Sequence, residues 1–213
     1  MGFDPHASKF TMTQRCKPLV LLLDTSGSMR GEKIERLYDA VTMMIHQLEH
    51  GVQREIIYKI AIITFGGKQA SLHTAYTDVS HVMHLPRFEA GGGTPLGSAL
   101  TVAKDMIEDR DTTKSTWYRP TAILVSDGRP NTGYKKPMSA FIDGSGLYGE
   151  KPDRTQRCQR MAIGIGNAGD LNEALLQSFV SEPDLYFHAE DAADIAKKFE
   201  LVTTTIRTTV RPK

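Results

Sequence analysis

The sequence places a carboxylate and a series of hydroxyl side chains directly after an apolar run. The run 19-LVLLL-23 ends at Asp24, and two serines follow at alternate positions, Ser26 and Ser28. Alternate residues of a tight loop can direct their oxygens to one point. Oxygen donors without Cys or His suit a hard, near-octahedral ion such as Mg²⁺, with Mn²⁺ or Ca²⁺ as alternatives. We therefore predict a metal site that includes Asp24, Ser26 and Ser28.

Two further oxygens are predicted to reach the same place. Thr94 follows three glycines and is predicted to be the N-cap of a helix whose first residue is Pro95. Asp127 directly follows the apolar run 121-TAILVS-126. Ligands of open α/β sheets bind beyond the carboxyl ends of the strands, where Asp24 and Asp127 are both expected. The predicted metal ligands are therefore Asp24, Ser26, Ser28, Thr94 and Asp127.

The number of ligands indicates that such a site is completed by another molecule. Three hydroxyls and one directly bound carboxylate fill about four of six positions. Water fills the rest, and a Glu or Asp from a protein partner could replace one water. The alternative is a metal-dependent hydrolase or phosphotransfer enzyme that activates a water with the same ion. That enzyme needs a positioned base, and the motif loops contain no His, Lys or Glu, so we favour a binding module.

The elements that must position these residues alternate along the chain. Near-continuous apolar runs predict strands at 18–23, 56–65 and 121–126, with shorter or looser candidates at 71–77, 161–165 and 184–188. Helical periodicity of the apolar residues predicts helices from 34 to 48, 94 to 107, 170 to 180 and 195 to 206. Strands that alternate with helices predict an α/β fold with a parallel sheet and helices on both faces.

Two glycine-rich segments offer other chemistry and are rejected. The segment 164-GIGNAG-169 has the spacing of a dinucleotide fingerprint, but Asp170 and Glu173 read as a capping box that puts an aspartate where the phosphate would bind. The segment 92-GGTPLGS-98 has the spacing of a phosphate-binding loop, but Ser98 stands where the essential lysine belongs. Neither segment predicts a nucleotide site.

Composition excludes several classes of partner. The 213 residues carry a formal net charge of +1, so no overall positive field attracts nucleic acid or an anionic membrane. No apolar run reaches the roughly 20 residues of a membrane helix. The segment 1–15 lacks the apolar region of a signal peptide. Cys16 and Cys158 fit no metal or redox spacing, which favours free thiols and a cytoplasmic location.

Three motifs together resemble the metal-ion-dependent adhesion site of von Willebrand factor type A domains: LLLDTSGSM, GGGTPLGSAL and ILVSDGRPN. The resemblance implies a doubly wound, mostly parallel six-stranded sheet with strand order 3-2-1-4-5-6 and one antiparallel edge strand. It implies one domain over 17–207, a lead-in over 1–16 and a tail over 208–213. It also implies a protein-binding module and not an enzyme. On that strand order, Cys16 before the first strand and Cys158 before the fifth are not neighbours, which argues against a disulfide.

Within the family, the motifs are most similar to short bacterial stand-alone TerY-like members, which are related to tellurite resistance. This likeness implies a stress or defence complex with kinase- or phosphatase-like partners. The segment 129–154 is longer than the family usually has and shows no clear helical period. It is either a specificity loop, with Tyr134, Phe141 and Tyr148 as partner anchors, or a surface insertion that contains a short helix.

Overall fold

The structure is a computed structural model of the chain. It describes residues 14–51, 55–127, 129–131, 133–144, 153–167, 169 and 171–210.

A six-stranded sheet forms the centre of the fold, in the order β3-β2-β1-β4-β5-β6. All neighbouring strands are parallel except β3, which runs antiparallel to β2 at the edge. The predicted α/β fold and the strand order implied by the resemblance are both confirmed. The strands are β1 (Arg15–Asp24), β2 (Ile56–Gly66), β3 (Gln69–Asp78), β4 (Thr121–Ser126), β5 (Gln159–Ile165) and β6 (Tyr186–Ala189).

Five α-helices in the described part of the chain cover the two faces of the sheet. Side chains alternate between the faces of a strand, so β1 contributes to two cores. Its Leu19, Leu21 and Leu23 pack with α1 and α5, whereas Val20 and Leu22 pack with α2, α3 and α4. Both faces are covered, which is why the run is apolar throughout. The helices are α1 (Glu32–Glu49), α2 (Leu96–Glu108), α3 (Lys135–Ile142), α4 (Glu173–Phe179) and α5 (Ile195–Thr209).

Several predicted element boundaries are wrong. Cys16 lies inside β1 and pairs with Ile57, not before the strand. Helix α2 begins at Leu96 with Pro95 as its N-cap, so Thr94 does not cap it. The cap of α4 is Asn172, whose side chain accepts a hydrogen bond from the Leu175 amide. Position 170 of the predicted capping box lies outside the described residues.

The long segment after β4 contains a short helix, which is one of the two alternatives given for it, although its sequence shows no clear helical period. Helix α3 buries Met138 and Phe141 against α2 and α4, and Phe141 is fully buried beside Phe179. Helix α5 continues to Thr209, three residues beyond its predicted end at 206. No helix among the described residues is long and apolar enough to cross a membrane.

Candidate metal centre

Two aspartates lie at the carboxyl ends of adjacent strands. Asp24 is the last residue of β1, and Asp127 directly follows β4. The two strands are paired up to Leu23 and Val125, so both carboxylates lie at the same edge of the sheet. Asp24 is fully buried, and the side chain of Asp127 is 0 % exposed. Sheet topology therefore brings together two residues that are about a hundred positions apart.

The loop after β1 is held in a fixed shape by its own hydrogen bonds. The Ser26 amide donates to Asp24 Oδ1 at 2.9 Å. A short 3-10 turn follows over Gly27–Met29, and the Met29 side chain is fully buried beneath it. This geometry brings the two serine hydroxyls together, with 3.0 Å between Ser26 Oγ and Ser28 Oγ. The alternate spacing in the sequence thus does direct two oxygens to one place.

The donor oxygens are spaced as a small hard ion requires. Ser28 Oγ donates to Asp127 Oδ1 at 2.7 Å, which extends the oxygen cluster from the first loop to the second. Magnesium binds oxygen at about 2.1 Å in octahedral geometry, which puts neighbouring ligand oxygens about 3.0 Å apart. The separation of 3.0 Å between the serine hydroxyls matches that edge. Ser26, Ser28 and Asp127 fit a small divalent ion by donor type, and the serine pair also fits it by spacing.

The carboxylate of Asp24 is electrostatically unfavourable in this position. Burial raises the pKa of Asp24, and the nearby Asp127 raises it further. Hydrogen bonds from Ser126 and Ser26 oppose the shift without cancelling it. A cation bound beside Asp24 would favour its ionised form.

The loop that carries Thr94 is tied to the loop after β1 by backbone hydrogen bonds. The Gly27 amide donates to Gly92 O at 2.9 Å, and the Gly91 amide donates to Thr25 O at 2.8 Å. Gly92 has a φ of 69°, and a Cβ at that position would lie 2.3 Å from the Cα of Gly67. Only glycine fits this close approach. Thr94 itself is buried and lies two residues further on.

Asn131 holds Thr94 through two hydrogen bonds, and the sequence analysis missed it. Its side-chain Oδ1 accepts a hydrogen bond from the Thr94 amide at 3.2 Å. The backbone amide of Asn131 donates to Thr94 O at 2.9 Å. Asn131 is therefore a positioning residue for Thr94. The only sequence signal was its place in the ILVSDGRPN motif, four residues after Asp127.

Lys33 is the second residue that the sequence analysis missed. It is the second residue of α1, and its Nζ lies 2.5 Å from Asp127 Oδ2. The sequence analysis considered only the motif loops, whereas this lysine reaches the site from helix α1. Its position five residues after Ser28 could have suggested a place near the site. Whether the Lys33 side chain points towards Asp127 depends, however, on how α1 packs against β4.

Comparisons with known proteins place the chain in a family. The sequence pattern described as von Willebrand factor type A domain matches residues 19–129, more than half of the chain. The chain belongs to the von Willebrand factor type A domain family. A similar curated protein is the uncharacterized protein Rv2850c of Mycobacterium tuberculosis, which is 31% identical over 160 residues. That match covers 74% of this chain and 25% of the relative, so the chain spans about a quarter of its relative's length.

Solved structures have the same fold as this von Willebrand factor type A domain. A von Willebrand factor type A protein from Catenulispora acidiphila aligns with a TM-score of 0.68 at 20% identity, over 91% of this chain and 43% of the other. Proximal thread matrix protein 1 from the mussel byssus, solved with a zinc-occupied MIDAS motif, gives a TM-score of 0.68 at 15% identity, over 90% of this chain and 48% of the other. At these identities the likeness shows the fold alone.

The three aromatic residues expected to anchor a partner have different positions in the domain. Phe141 is fully buried in the core, so its expected role as a surface anchor is wrong. Tyr134 is half-buried and packs against the same core at the start of α3. Tyr148 lies outside the described residues.

The cluster at this edge is a hydroxyl-rich site. Within the described ranges, no group of three or more His, Cys, Asp and Glu residues could hold a metal ion. The candidate centre has only two carboxylates and relies on hydroxyl oxygens for its other donors. This composition distinguishes it from a zinc centre built of Cys and His.

Proposed function

We propose that this von Willebrand factor type A domain binds a protein partner through a divalent ion, with Mg²⁺ as the preferred ion and Mn²⁺ or Ca²⁺ as alternatives. The proposed ligands are those of the sequence analysis: Asp24, Ser26, Ser28, Thr94 and Asp127. The observation that carries the proposal is the oxygen cluster formed by the two serines and Asp127, with successive separations of 3.0 and 2.7 Å.

The residues of the proposed site have different roles. The bound ion would supply a positive centre for a carboxylate of the partner. Asp24 is buried and accepts a hydrogen bond from the Ser26 amide, so it shapes the loop and supplies negative charge from the interior of the domain. Ser28 is exposed, so the cluster is open to a partner on that side. Asn131 keeps Thr94 in place through both its side chain and its amide.

Basic residues around the site favour an acidic partner. Arg30 donates to Ala90 O beside the glycine loop, and Arg129 donates to Gly169 O on the side of β5. Both arginines are exposed. Arg30 follows Ser28 by two residues and Arg129 follows Asp127 by two, so together with Lys33 they add positive charge near the loops of the site, which would steer a Glu or Asp side chain towards the ion.

A cleft beside the site offers additional contact area. It measures about 440 Å³, and its lining includes Thr25 and Gly91, which lie next to the site, together with His73, Arg87 and Glu89. Tyr134 and Tyr148 remain proposed contacts on the side of the segment after β4. A partner that reaches the ion with one carboxylate could fill this cleft with neighbouring residues.

The proposed biological setting is a bacterial stress, tellurite-resistance or defence complex with kinase- or phosphatase-like partners. It rests on the TerY-like motifs alone. A cytoplasmic location is part of the same proposal, supported by Cys16 and Cys158, which are both free thiols. We propose binding without catalysis because the lysine at the site, Lys33, donates to Asp127 and so offers no acceptor to a water.

An array of short peptides would test the proposed function. Peptides that carry one Asp or Glu would be compared with matched peptides that carry Asn or Gln, in Mg²⁺ and in EDTA. We expect binding that needs the acidic residue, needs Mg²⁺ and disappears in Asp127→Ala. Binding that is equal in EDTA, or equal for the amide peptides, would contradict the proposal.

A further inference from the structure

Both oxygens of the Asp127 carboxylate already have a donor. Ser28 Oγ donates to Oδ1 at 2.7 Å, and Lys33 Nζ donates to Oδ2 at 2.5 Å. The Lys33 ammonium group therefore supplies positive charge to the Asp127 carboxylate, as a bound divalent ion would. An ion that used Asp127, directly or through a water, would bring a second positive centre to the same group.

The position of Lys33 in its helix points to a specific role for this contact. Lys33 lies in the first turn of α1, where the helix dipole disfavours a cation. The other charged residues of that turn are acidic, Glu32 and Glu35, as the dipole favours. The interaction with Asp127 is what offsets the unfavourable location of the lysine.

The Lys33 pair differs from its neighbours on α1 in burial. The Arg36–Glu32 and Arg87–Glu35 pairs have side chains that are all at least 50 % exposed. In the Lys33 pair the Asp127 side chain is 0 % exposed and the Lys33 side chain is 32 % exposed. Exposed pairs contribute little, whereas removing one partner of a buried charge leaves the other uncompensated. The partial exposure of Lys33 also leaves its side chain a route to solvent.

We propose that Lys33 is a tethered cation that neutralises Asp127 in the metal-free domain and competes with the divalent ion for that carboxylate. When the ion binds, the ammonium group moves off Asp127 towards solvent. Lys33 thereby lowers the affinity of the site for the ion and stabilises the domain when no ion is bound. This inference rests on the proposed function, because it requires an ion at the same site.

The test compares Lys33→Met with the wild type by calorimetric titration of MnCl₂ and MgCl₂ into each protein. Methionine keeps an unbranched side chain of similar length without the charge. We expect Lys33→Met to bind the ion roughly tenfold more tightly, which corresponds to about 1.4 kcal/mol. We also expect its melting temperature in EDTA to fall below that of the wild type. Arg36→Met on the same helix removes only an exposed pair and should change neither quantity.

The possible results separate this inference from the function on which it rests. Equal or weaker ion binding by Lys33→Met, with wild-type binding that disappears in Asp127→Ala, would overturn the competition and leave the metal site intact. Absence of ion binding in every protein would overturn both. If Arg36→Met also bound the ion more tightly, the gain in affinity would come from the lower net charge of the domain. That result would overturn the specific role of Lys33.

Discussion

Asp24 and Ser126 are joined across two neighbouring strands by a hydrogen bond of 2.5 Å from the serine Oγ to Asp24 Oδ2. The bond links the end of β1 to the end of β4, next to Asp127. It occupies one oxygen of Asp24, while the Ser26 amide occupies the other. The most buried carboxylate of the site is therefore held by neutral donors.

Replacing Asp24 by Asn should stabilise the domain in EDTA at neutral pH. Burial raises the pKa of Asp24 in the folded state, so the ionised carboxylate destabilises the fold. This loss of stability is absent below the pKa that Asp24 has in the unfolded chain, near 3.8. It develops as the pH rises through the higher pKa that Asp24 has in the folded domain. Melting temperatures measured from about pH 4 to pH 8 should therefore diverge in favour of Asp24→Asn, by a few °C at the upper end. Lower stability of Asp24→Asn at neutral pH would contradict this.

Asp109→Asn is the matched control for this experiment. Asp109 is exposed after α2, and hydrogen bonds from Thr112 and Asp111 lower its pKa. A lowered pKa means that the ionised form favours the fold, so this stability is present above the unfolded pKa and is lost towards acid. Asp109→Asn should therefore lower the melting temperature at neutral pH. The two variants should move in opposite directions.

Asn131→Ala should weaken ion binding without unfolding the domain. The change removes the acceptor that holds the Thr94 amide. Loss of such a positioning contact typically reduces metal affinity about 10–100-fold, while one hydrogen bond contributes about 1 kcal/mol to stability. Asn172→Ala is the control, since it removes the N-cap of α4, costs about 1 kcal/mol, and should leave ion affinity unchanged. Titration of Mn²⁺ together with urea unfolding would separate the two effects.

Gly92→Ala should disrupt the site through its loop. The added Cβ would lie 2.3 Å from the Cα of Gly67, so the loop that carries Thr94 must move. Gly31 provides a control because its φ of 80° is similar, but a Cβ there would have no neighbour within 4 Å. Gly31→Ala should cost only backbone strain, about 1–3 kcal/mol, because its φ of 80° and ψ of −133° lie in a region that L side chains avoid. Ion affinity should fall in Gly92→Ala, and equal behaviour of the two variants would disprove the close-approach argument.

Phe141→Ala should behave as a core substitution and not as the loss of a surface contact. Phe141 is fully buried beside Phe179, and truncation of such a side chain costs about 3–5 kcal/mol. Tyr134 is only half-buried, so Tyr134→Ala should cost less. Urea unfolding of both variants would measure the difference. A small cost for Phe141→Ala would restore it as a surface anchor.

Apolar patterning was sufficient to predict most of the fold. The run before Asp24 and the runs at 56–65 and 121–126 are buried on both faces, and this burial is what made them recognisable. The order of the strands came from the family motifs and not from patterning, because patterning does not record which strands pair. A short helix in the segment 129–154 was only one of two alternatives, and its bounds could not be predicted because the eight residues of α3 cover only about two turns, too few to establish a period.

The candidate site was predictable where its residues are local and not where they depend on tertiary packing. Ser26 and Ser28 follow Asp24 in one loop, so their spacing alone indicated convergence. The partner of Lys33 is 94 residues away in the sequence, and the partner of Asn131 is 37 residues away. Only the folded sheet edge brings such pairs together. The helix cap assigned to Thr94 was wrong because α2 begins at Leu96, one position later than predicted, with Pro95 as its N-cap.

A thermal melt of the wild type and Asp127→Ala, each in EDTA and in excess Mg²⁺, tests the central claim most directly. An ion at about 100 times its dissociation constant stabilises the folded state by roughly 2.7 kcal/mol. For a domain of this size that corresponds to a rise of roughly 5–10 °C. We predict this rise in the wild type and its absence in Asp127→Ala. No rise in the wild type, or the same rise in both proteins, would contradict a metal centre at this edge of the sheet.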